Sequence, residues 1–358
     1  MLGIVTFIVA LIVFAATFLS QVRVHDWWIR ACEFPRVQIA GVAFLALLGA
    51  ASADAPLKWL TIAMCLVVMV VQIRYILPWT PAWEVQMPAA ESSEDSRCVT
   101  ILIANVLTPN RNFAGLTKQI IFRKPDVILT LESDQWWGDR LDEALGEEWP
   151  YSVKIPLDNL YGMHLYSRMK LTDVEVSYLI QDDIPSVHGT LHLRNGATVA
   201  LHAVHPRPPA PQESDESLWR DAELLLVGKR IRERGGPTLL IGDLNDVAWS
   251  RTTRLFAEVS GMLDPRRGRG MFSTYNADHW ALRWPLDHIF ASEHFSLGGI
   301  ERLNKYGSDH FPILATLCYS PEHKDEVEKP EAEEEQQETA DEVIDEAKDR
   351  AANGEDPH

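Results

Sequence analysis

Three long apolar stretches open the chain, and shorter alternating or continuous apolar runs follow. Residues 3–20 carry no charge, and neither do residues 37–53. A third run covers 59–73 and continues past Arg74 as Tyr75-Ile76-Leu77. A helix needs about 20 mostly apolar residues to cross the hydrocarbon layer, with a lower limit of roughly 17. The pattern therefore predicts about three transmembrane helices within residues 1–77. The first run reads as a span rather than a cleaved signal peptide, because no Lys or Arg precedes it, no A-x-A site follows directly, and two more apolar runs come after it. Trp27, Trp28, Trp59, Trp79 and Trp83 fall near the predicted helix ends, where amphipathic rings favour the headgroup layer.

The pattern then changes. Residues 78–97 are rich in Pro, Ser and acidic side chains without an apolar period, and read as a linker. Residues 98–320 read as one soluble domain. A β-branched strand is expected over 99–106 and a buried one over 126–132, with further strands over 162–167, 174–180, 188–193, 198–204, 238–242, 286–291 and 312–317. Residues 111–123 are amphipathic. Residues 214–236 predict a strong helix capped by Ser214, with Leu218, Ala222, Leu225 and Leu226 as its apolar stripe. Parallel and antiparallel strands with covering helices indicate an α/β sandwich. Residues 321–358 hold 16 acidic and 4 basic residues and no aromatic one, so an acidic disordered tail, or a solvated single helix, is expected.

Charge narrows the function. The 358 residues carry 33 basic and 51 acidic side chains, and much of the excess lies in the tail. Duplex nucleic acid needs clustered Lys and Arg to displace counterions, and no broad basic face is in view. Four cysteines (Cys32, Cys65, Cys98 and Cys318) form no CxxC pair, which excludes a zinc finger and a disulfide-rich scaffold.

Candidate chemistry gathers where strands end. Leu239-Leu240-Ile241-Gly242-Asp243-Leu244-Asn245-Asp246 runs a buried strand into Asp, Asn and Asp. Pro285-Leu286-Asp287-His288, Gly307-Ser308-Asp309-His310, Glu132 after an apolar strand, Asn105 after the first strand, and His202-Ala203-Val204-His205-Pro206-Arg207 complete the set. Singly, each fits a turn. Together they offer what a hard divalent cation and an attacking water require: carboxylates, amides and imidazoles on a rigid base.

This set resembles the endonuclease/exonuclease/phosphatase superfamily over about residues 99–318, in the right order. DQWW (134–137), HAVHPRPP (202–209) and LNDVAWSRTTRLF (244–256) are similar to its bacterial membrane-anchored branch. The resemblance implies two packed mixed β-sheets flanked by helices in four layers, and dependence on Mg²⁺ or Mn²⁺. It implies that Glu132, Asn105 and Asp309 serve the metal, and that Asp243 orients or deprotonates water. It implies that Asn245 positions the phosphate, Asp287 pairs with His310, His205 contacts the phosphate, and Arg207 binds substrate. Leu107 stands where some nucleases of the family place a carboxylate, which argues against a second metal site. Arg266, Arg267 and Arg269 form a short basic loop, either a solvated turn or a substrate contact.

The reading favours a membrane-anchored phosphoesterase acting on a lipid-linked or small phosphate ester over a nuclease or a non-catalytic membrane protein. The partners expected are substrate and lipid bilayer; nucleic acid is not favoured and no protein partner is predicted. Arg23, Arg30, Arg36 and Arg74 against Lys58 would place the domain in the cytoplasm by positive-inside counting. The resemblance implies an inner-membrane protein with an extracytoplasmic domain instead.

Overall fold

In a computed structural model, residues 1–52, 56–91 and 96–355 are described. The end of the second apolar run at 53, linker residues 92–95 and the last three tail residues lie outside them. Helix α1 (Leu2–Leu19), the short α2 (Trp27–Arg30), α3 (Arg36–Ser52) and α4 (Lys58–Ile76) form the N-terminal layer. Among the described residues, two apolar helices are long enough to cross a membrane. A third span exists only if the segment Trp27–Glu33 and α3, bent by 70°, count as one. Pro35, in the break, has no N–H to continue the helix. Polar groups inside the bundle satisfy one another: Gln72 donates to Thr17 Oγ1 at 2.8 Å, and Arg36 donates to Gln72 Oε1 at 3.4 Å.

The domain follows as β1 (Cys98–Asn105), α5 (Phe113–Arg123), β2 (Val127–Leu131), α6 (Gln135–Leu145), β3 (Tyr151–Ile155), β4 (Met163–Ser167), β5 (Leu171–Ser177), β6 (Ser186–His192), β7 (Thr198–Val204), α7 (Leu218–Arg234), β8 (Thr238–Asp243), α8 (Arg251–Ser260), β9 (Asp287–Ala291), β10 (Phe295–Arg302), β11 (Ile313–Tyr319) and α9 (Glu334–Ala352). One sheet has the order β10-β11-β1-β2-β4-β3 and the other β5-β6-β7-β8-β9. Alternation along β1 sends Val99, Ile101 and Ile103 into the core between the sheets, while Leu102 and Ala104 face α5 and α6. Along β8, Leu239 and Ile241 enter the same core and Leu240 packs under α7 and α8. The expected four-layer sandwich is present.

Several expectations change. Helix α7 begins at Leu218, and Ser214 instead closes a turn to Glu216 N–H at 3.2 Å. The expected linker is laid onto the domain: Met87 is fully buried, and Leu297 N–H donates to Pro88 O at 2.8 Å. The tail is not disordered over its middle. Residues Glu334–Ala352 form a helix that buries Ala340, Ile344 and Ala347 against α7 and α8, spacing that puts all three on one face. Cys98 and Cys318 sit opposite each other on β1 and β11 and are joined by a disulfide.

The N-terminal layer grips the domain through buried charge. Arg30 donates to Glu33 at 2.8 Å and to Thr252 at 2.8 Å, and its second arm lies 3.7 Å from Asp221. Arg220 lies 2.7 Å from Asp221 and 3.2 Å from Asp246. Trp249 donates to Glu33 O at 2.8 Å.

Candidate active site

One end of the sandwich collects the candidate residues because β1, β2, β7 and β8 all finish there while β9 and β11 begin there. Asn105 closes β1 and Glu132 follows β2; Asp243 closes β8, directly paired with Asp287 at the start of β9. His205 follows β7, and His310 precedes β11. Gly242 is required at its place: a Cβ there would lie 1.9 Å from Val204 O, so only glycine lets β7 and β8 approach this closely just before Asp243. Glu132 (φ 55°) and Asn245 (φ 50°) adopt left-handed backbone, conformations that side-chain-bearing residues reach at a cost, here at the mouth of the cluster.

The side chains interlock. Asn105 Nδ2 donates to Glu132 Oε1 at 2.7 Å and to Asp243 Oδ2 at 3.1 Å, while its own Oδ1 accepts Leu107 N–H at 3.1 Å. The hydroxyls of Tyr306 (2.6 Å) and Ser308 (2.8 Å) donate to Asn105 O, which ties the Gly307–His310 turn to β1. His310 Nδ1 meets Asp287 Oδ2 at 2.8 Å, and Nε2 lies 3.6 Å from Asp243 Oδ2. Asp243 Oδ1 accepts Asn245 N–H at 2.9 Å. Asn245 Nδ2 donates to Pro206 O at 3.0 Å and so joins the β8 and β7 loops. Tyr275 packs against the imidazole of His310 with centroids 5.0 Å apart.

Electrostatics divides the histidines. Burial alone would lower His310, but Asp287, Asp243 and Asp309 outweigh it and raise the ring to about 10, so it is an imidazolium at neutral pH. His205 is equally enclosed; burial lowers it to about 4 against the pull of Asp243, and its buried Nδ1 has no partner. It is an uncharged ring. Burial pushes Glu132 up to about 7; the Asn105 hydrogen bond and the His310 charge oppose this, and Asp243 and Asp309 add to it.

Asp243, Asp287 and His310 form a buried group whose ligand atoms lie within 4.8 Å of one another. Both ring nitrogens of His310 face carboxylates, and a charged ring has no lone pair for a metal. The oxygens of Glu132, Asn105 and Asp309 are the other donor set of the kind a hard cation takes; burial raises the Glu132 carboxyl, and Asp243 and Asp309 add to the rise. The Asp309 carboxylate accepts from the Ser308 hydroxyl at 3.4 Å.

Other candidates have different places. Arg207 stacks over Tyr161 at 5.0 Å and is paired with Asp183 (2.5 Å) and Glu213 (3.6 Å), so its guanidinium is committed to protein carboxylates. Asp246, although adjacent to Asn245 in GDLND, turns into the buried ion network. Arg266 is buried against Asp264 at 2.6 Å, and Arg269 donates to Met87 O at 2.6 Å, so these two arginines of the basic loop serve the fold. Sequence reasoning gave no role to Tyr275, Thr274 or Tyr161. Thr274 Oγ1 accepts Asp287 N–H at 3.2 Å, and Tyr161 packs 5.5 Å from His205. All three lie in stretches without an apolar period.

A family model described as "Endonuclease/Exonuclease/phosphatase family" matches residues 102–310, more than half of the chain. The chain belongs to this family. It is thus a hydrolase acting on phosphate ester bonds. No curated protein sequence matches it. Among solved structures, D. rerio TDP2 humanized by 14 mutations is 18% identical with a TM-score of 0.52, covering 62% of this chain and 99% of its own. The human Nocturnin catalytic domain with bound sulfate is 15% identical with a TM-score of 0.52 (63% and 95% covered). A family protein from Bacteroides thetaiotaomicron is 16% identical with a TM-score of 0.52 (63% and 97% covered). At these identities the likeness is one of fold.

Proposed function

We propose that this hydrolase is a membrane-anchored phosphoesterase dependent on Mg²⁺ or Mn²⁺, and that it cleaves a lipid-linked or small phosphate ester by attack of water. The observation that carries the reading is the convergence of Asn105, Glu132, Asp243, Asp287 and His310 at one sandwich end, with a charged imidazole between two carboxylates. Glu132, Asn105 and Asp309 would hold the cation, which supplies Lewis-acid polarisation and charge neutralisation at the phosphate. Asp243 orients the attacking water and accepts its proton. His310, kept charged by Asp287 at Nδ1, donates a hydrogen bond from Nε2 to a phosphate oxygen as negative charge builds. Asn245 holds the loop that carries Asp243, and the neutral ring of His205 adds an uncharged contact.

Two apolar helices support anchoring. The disulfide between Cys98 and Cys318 supports an extracytoplasmic domain, since such pairs persist in oxidising compartments. In the folded state Arg30 is committed to Glu33 and Asp221, which weakens the charge count against that side. Nuclease activity is the lesser reading, because Arg207, Arg220 and Arg266 are tied to protein carboxylates.

The test is hydrolysis by the full chain in detergent, with lipid phosphates, lipid pyrophosphates, sugar phosphates and DNA, in Mg²⁺, Mn²⁺ or chelator. A metal-dependent release of phosphate from a lipid or small ester is expected, abolished by Asp243→Asn. Cleavage of DNA alone would overturn the substrate class, and full activity in chelator would overturn the metal.

A further inference from the structure

The loop over 275–284 has no role in the fold that accounts for its surface. Its tip carries Trp280, 84% exposed, and Leu282, 46% exposed. Its base is a short ladder: Tyr275 and Trp284 exchange backbone hydrogen bonds, and Asn276 N–H donates to Leu282 O at 3.0 Å. The same base is fixed to the catalytic turn, for Ala277 N–H donates to Asp309 O at 2.6 Å and Tyr275 packs on His310. On the other side the tip touches the apolar helices: Gln38, in the first turn of α3, donates to Ala281 O at 2.7 Å, and Phe34 meets Trp284 edge-on at 5.7 Å.

The ends of the apolar helices fix a level. The end of α1, the start of α3 and the end of α4 all lie on the domain side: Arg30 and Glu33, just before α3, bind Thr252 and Trp249, and Trp79, just after α4, packs with Trp249 and Leu286. Beyond that level the helices turn Val42, Phe44, Leu45 and Leu48 outward. The Trp280 tip, tied to Gln38, therefore lies at the rim where that outward apolar surface begins. An exposed Trp beside an exposed Leu at such a rim suits the headgroup–acyl boundary, where a ring with one polar edge partitions well.

We infer that loop 276–284 dips into the bilayer surface beside α3 and sets the His310 end of the site against the leaflet, so that the substrate is a phosphate ester displayed by a membrane-embedded amphiphile. This rests on the membrane-anchored reading above and narrows it from lipid-linked or small esters to esters presented in the leaflet. The continuity from Gln38 through Ala281, Trp284 and Tyr275 to His310 is a rigid one, built of backbone ladder and ring contacts. It couples depth of the tip to the height of the site. A soluble ester does not need this placement; a headgroup fixed in the leaflet does.

The test uses the full chain reconstituted in phosphatidylcholine vesicles containing phosphatidate. Trp280→Cys, in a Cys32→Ser background, carries an environment-sensitive fluorophore, and quenching by nitroxide-labelled lipids is compared with labels at Phe44→Cys and Lys118→Cys. Quenching at 280 and 44 but not at 118 is expected. Quenching at 44 without 280 overturns the inference while anchoring stands, and no quenching at either position overturns both. In the same vesicles, Trp280→Ser/Leu282→Ser should lower phosphatidate hydrolysis by about tenfold, the modest end of a lost effective concentration, while p-nitrophenyl phosphate hydrolysis in solution is unchanged. Equal loss on both substrates, or a wild type that cleaves only the soluble ester, overturns the substrate assignment.

Discussion

Replacing Asp287 by Asn isolates the charge that holds His310 in its acidic form. The amide oxygen can still accept from Nδ1 across the 2.8 Å contact, so the ring keeps its place and loses its counter-ion. His205 provides the internal comparison: equally enclosed, without such a carboxylate bond, burial takes it down to about 4. His310 is raised from 6.5 to about 10 because Asp287, Asp243 and Asp309 overcome that burial. At about 1.4 kcal/mol per tenfold, the rise corresponds to roughly 5 kcal/mol of preference for the charged ring. Asp287 supplies the largest share of it; Asp243, 3.6 Å away, remains. Turnover at neutral pH should fall by roughly a hundredfold to a thousandfold, the scale of losing one preorganised donor.

The assay is kcat/KM against pH from about 5 to about 11. The wild type should lose activity on the alkaline side only near the His310 value of about 10, and the Asn variant near neutrality or below. Stability gives a second readout. A ring whose folded value lies above its unfolded one stabilises fully below about 6.5, and that contribution is lost as pH rises through about 10. The wild-type Tm should therefore decline across this window, and the variant should lack that decline. An unchanged alkaline limb together with less than about a tenfold loss of turnover would refute the reasoning.

Other consequences are direct. Arg30→Ala leaves Asp221 short of one buried cation and should lower stability by about 3–5 kcal/mol, seen as an earlier denaturation midpoint of the full chain in detergent. Ile344→Ala, which hollows the contact between α9 and α7, should cost about 2–4 kcal/mol by the same measurement without altering kcat. In denaturant, a bulky maleimide should reach Cys98 and Cys318 only after reduction, read as a gel shift against an unreduced control.

The legible parts of the fold were those with a clean period. Strands β1, β2, β7, β8, β9 and β11 are apolar or alternate, and each was expected within a residue or two of its place. β3 was missed because Tyr151–Ile155 is an edge strand with mostly exposed positions. β10 was missed because Gly298 and Gly299 interrupt it at a register shift. Of the site, the carboxylates, amides and imidazoles at strand ends were legible, since rigid elements deliver them and their chemistry is written in the side chain. What was not legible was which carboxylate faces the reaction: Asp243 and Asp246 look alike in GDLND, yet Asp246 is 3.2 Å from Arg220 and belongs to the grip on the N-terminal layer. In the tail, Ala340, Ile344 and Ala347 already formed a helical stripe, but charge density concealed it, because the partner surface on α7 and α8 lies far back along the chain.

The charge balance of the site carries a last prediction. Glu132, Asp243, Asp287 and Asp309 crowd around a single imidazolium, and the rise of Glu132 to about 7, driven by burial and aided by Asp243 and Asp309, expresses that excess. A phosphate ester adds more negative charge to the same corner. Arg207, the arginine that the sequence assigned to substrate, is held by Asp183 and Glu213. These four carboxylates would repel the substrate unless a cation bound among the oxygens of Glu132, Asn105 and Asp309. Glu132→Gln removes one ligand charge while keeping the Asn105 contact sterically possible. It should weaken Mg²⁺ or Mn²⁺ by roughly tenfold to a hundredfold, measured as the metal concentration giving half-maximal rate and, without substrate, as the metal-dependent rise in Tm. The stabilisation by metal should shrink in step with the rate. A variant that kept wild-type metal dependence in both measurements would place the cation elsewhere, with the Asp243–Asp287–His310 group the first alternative.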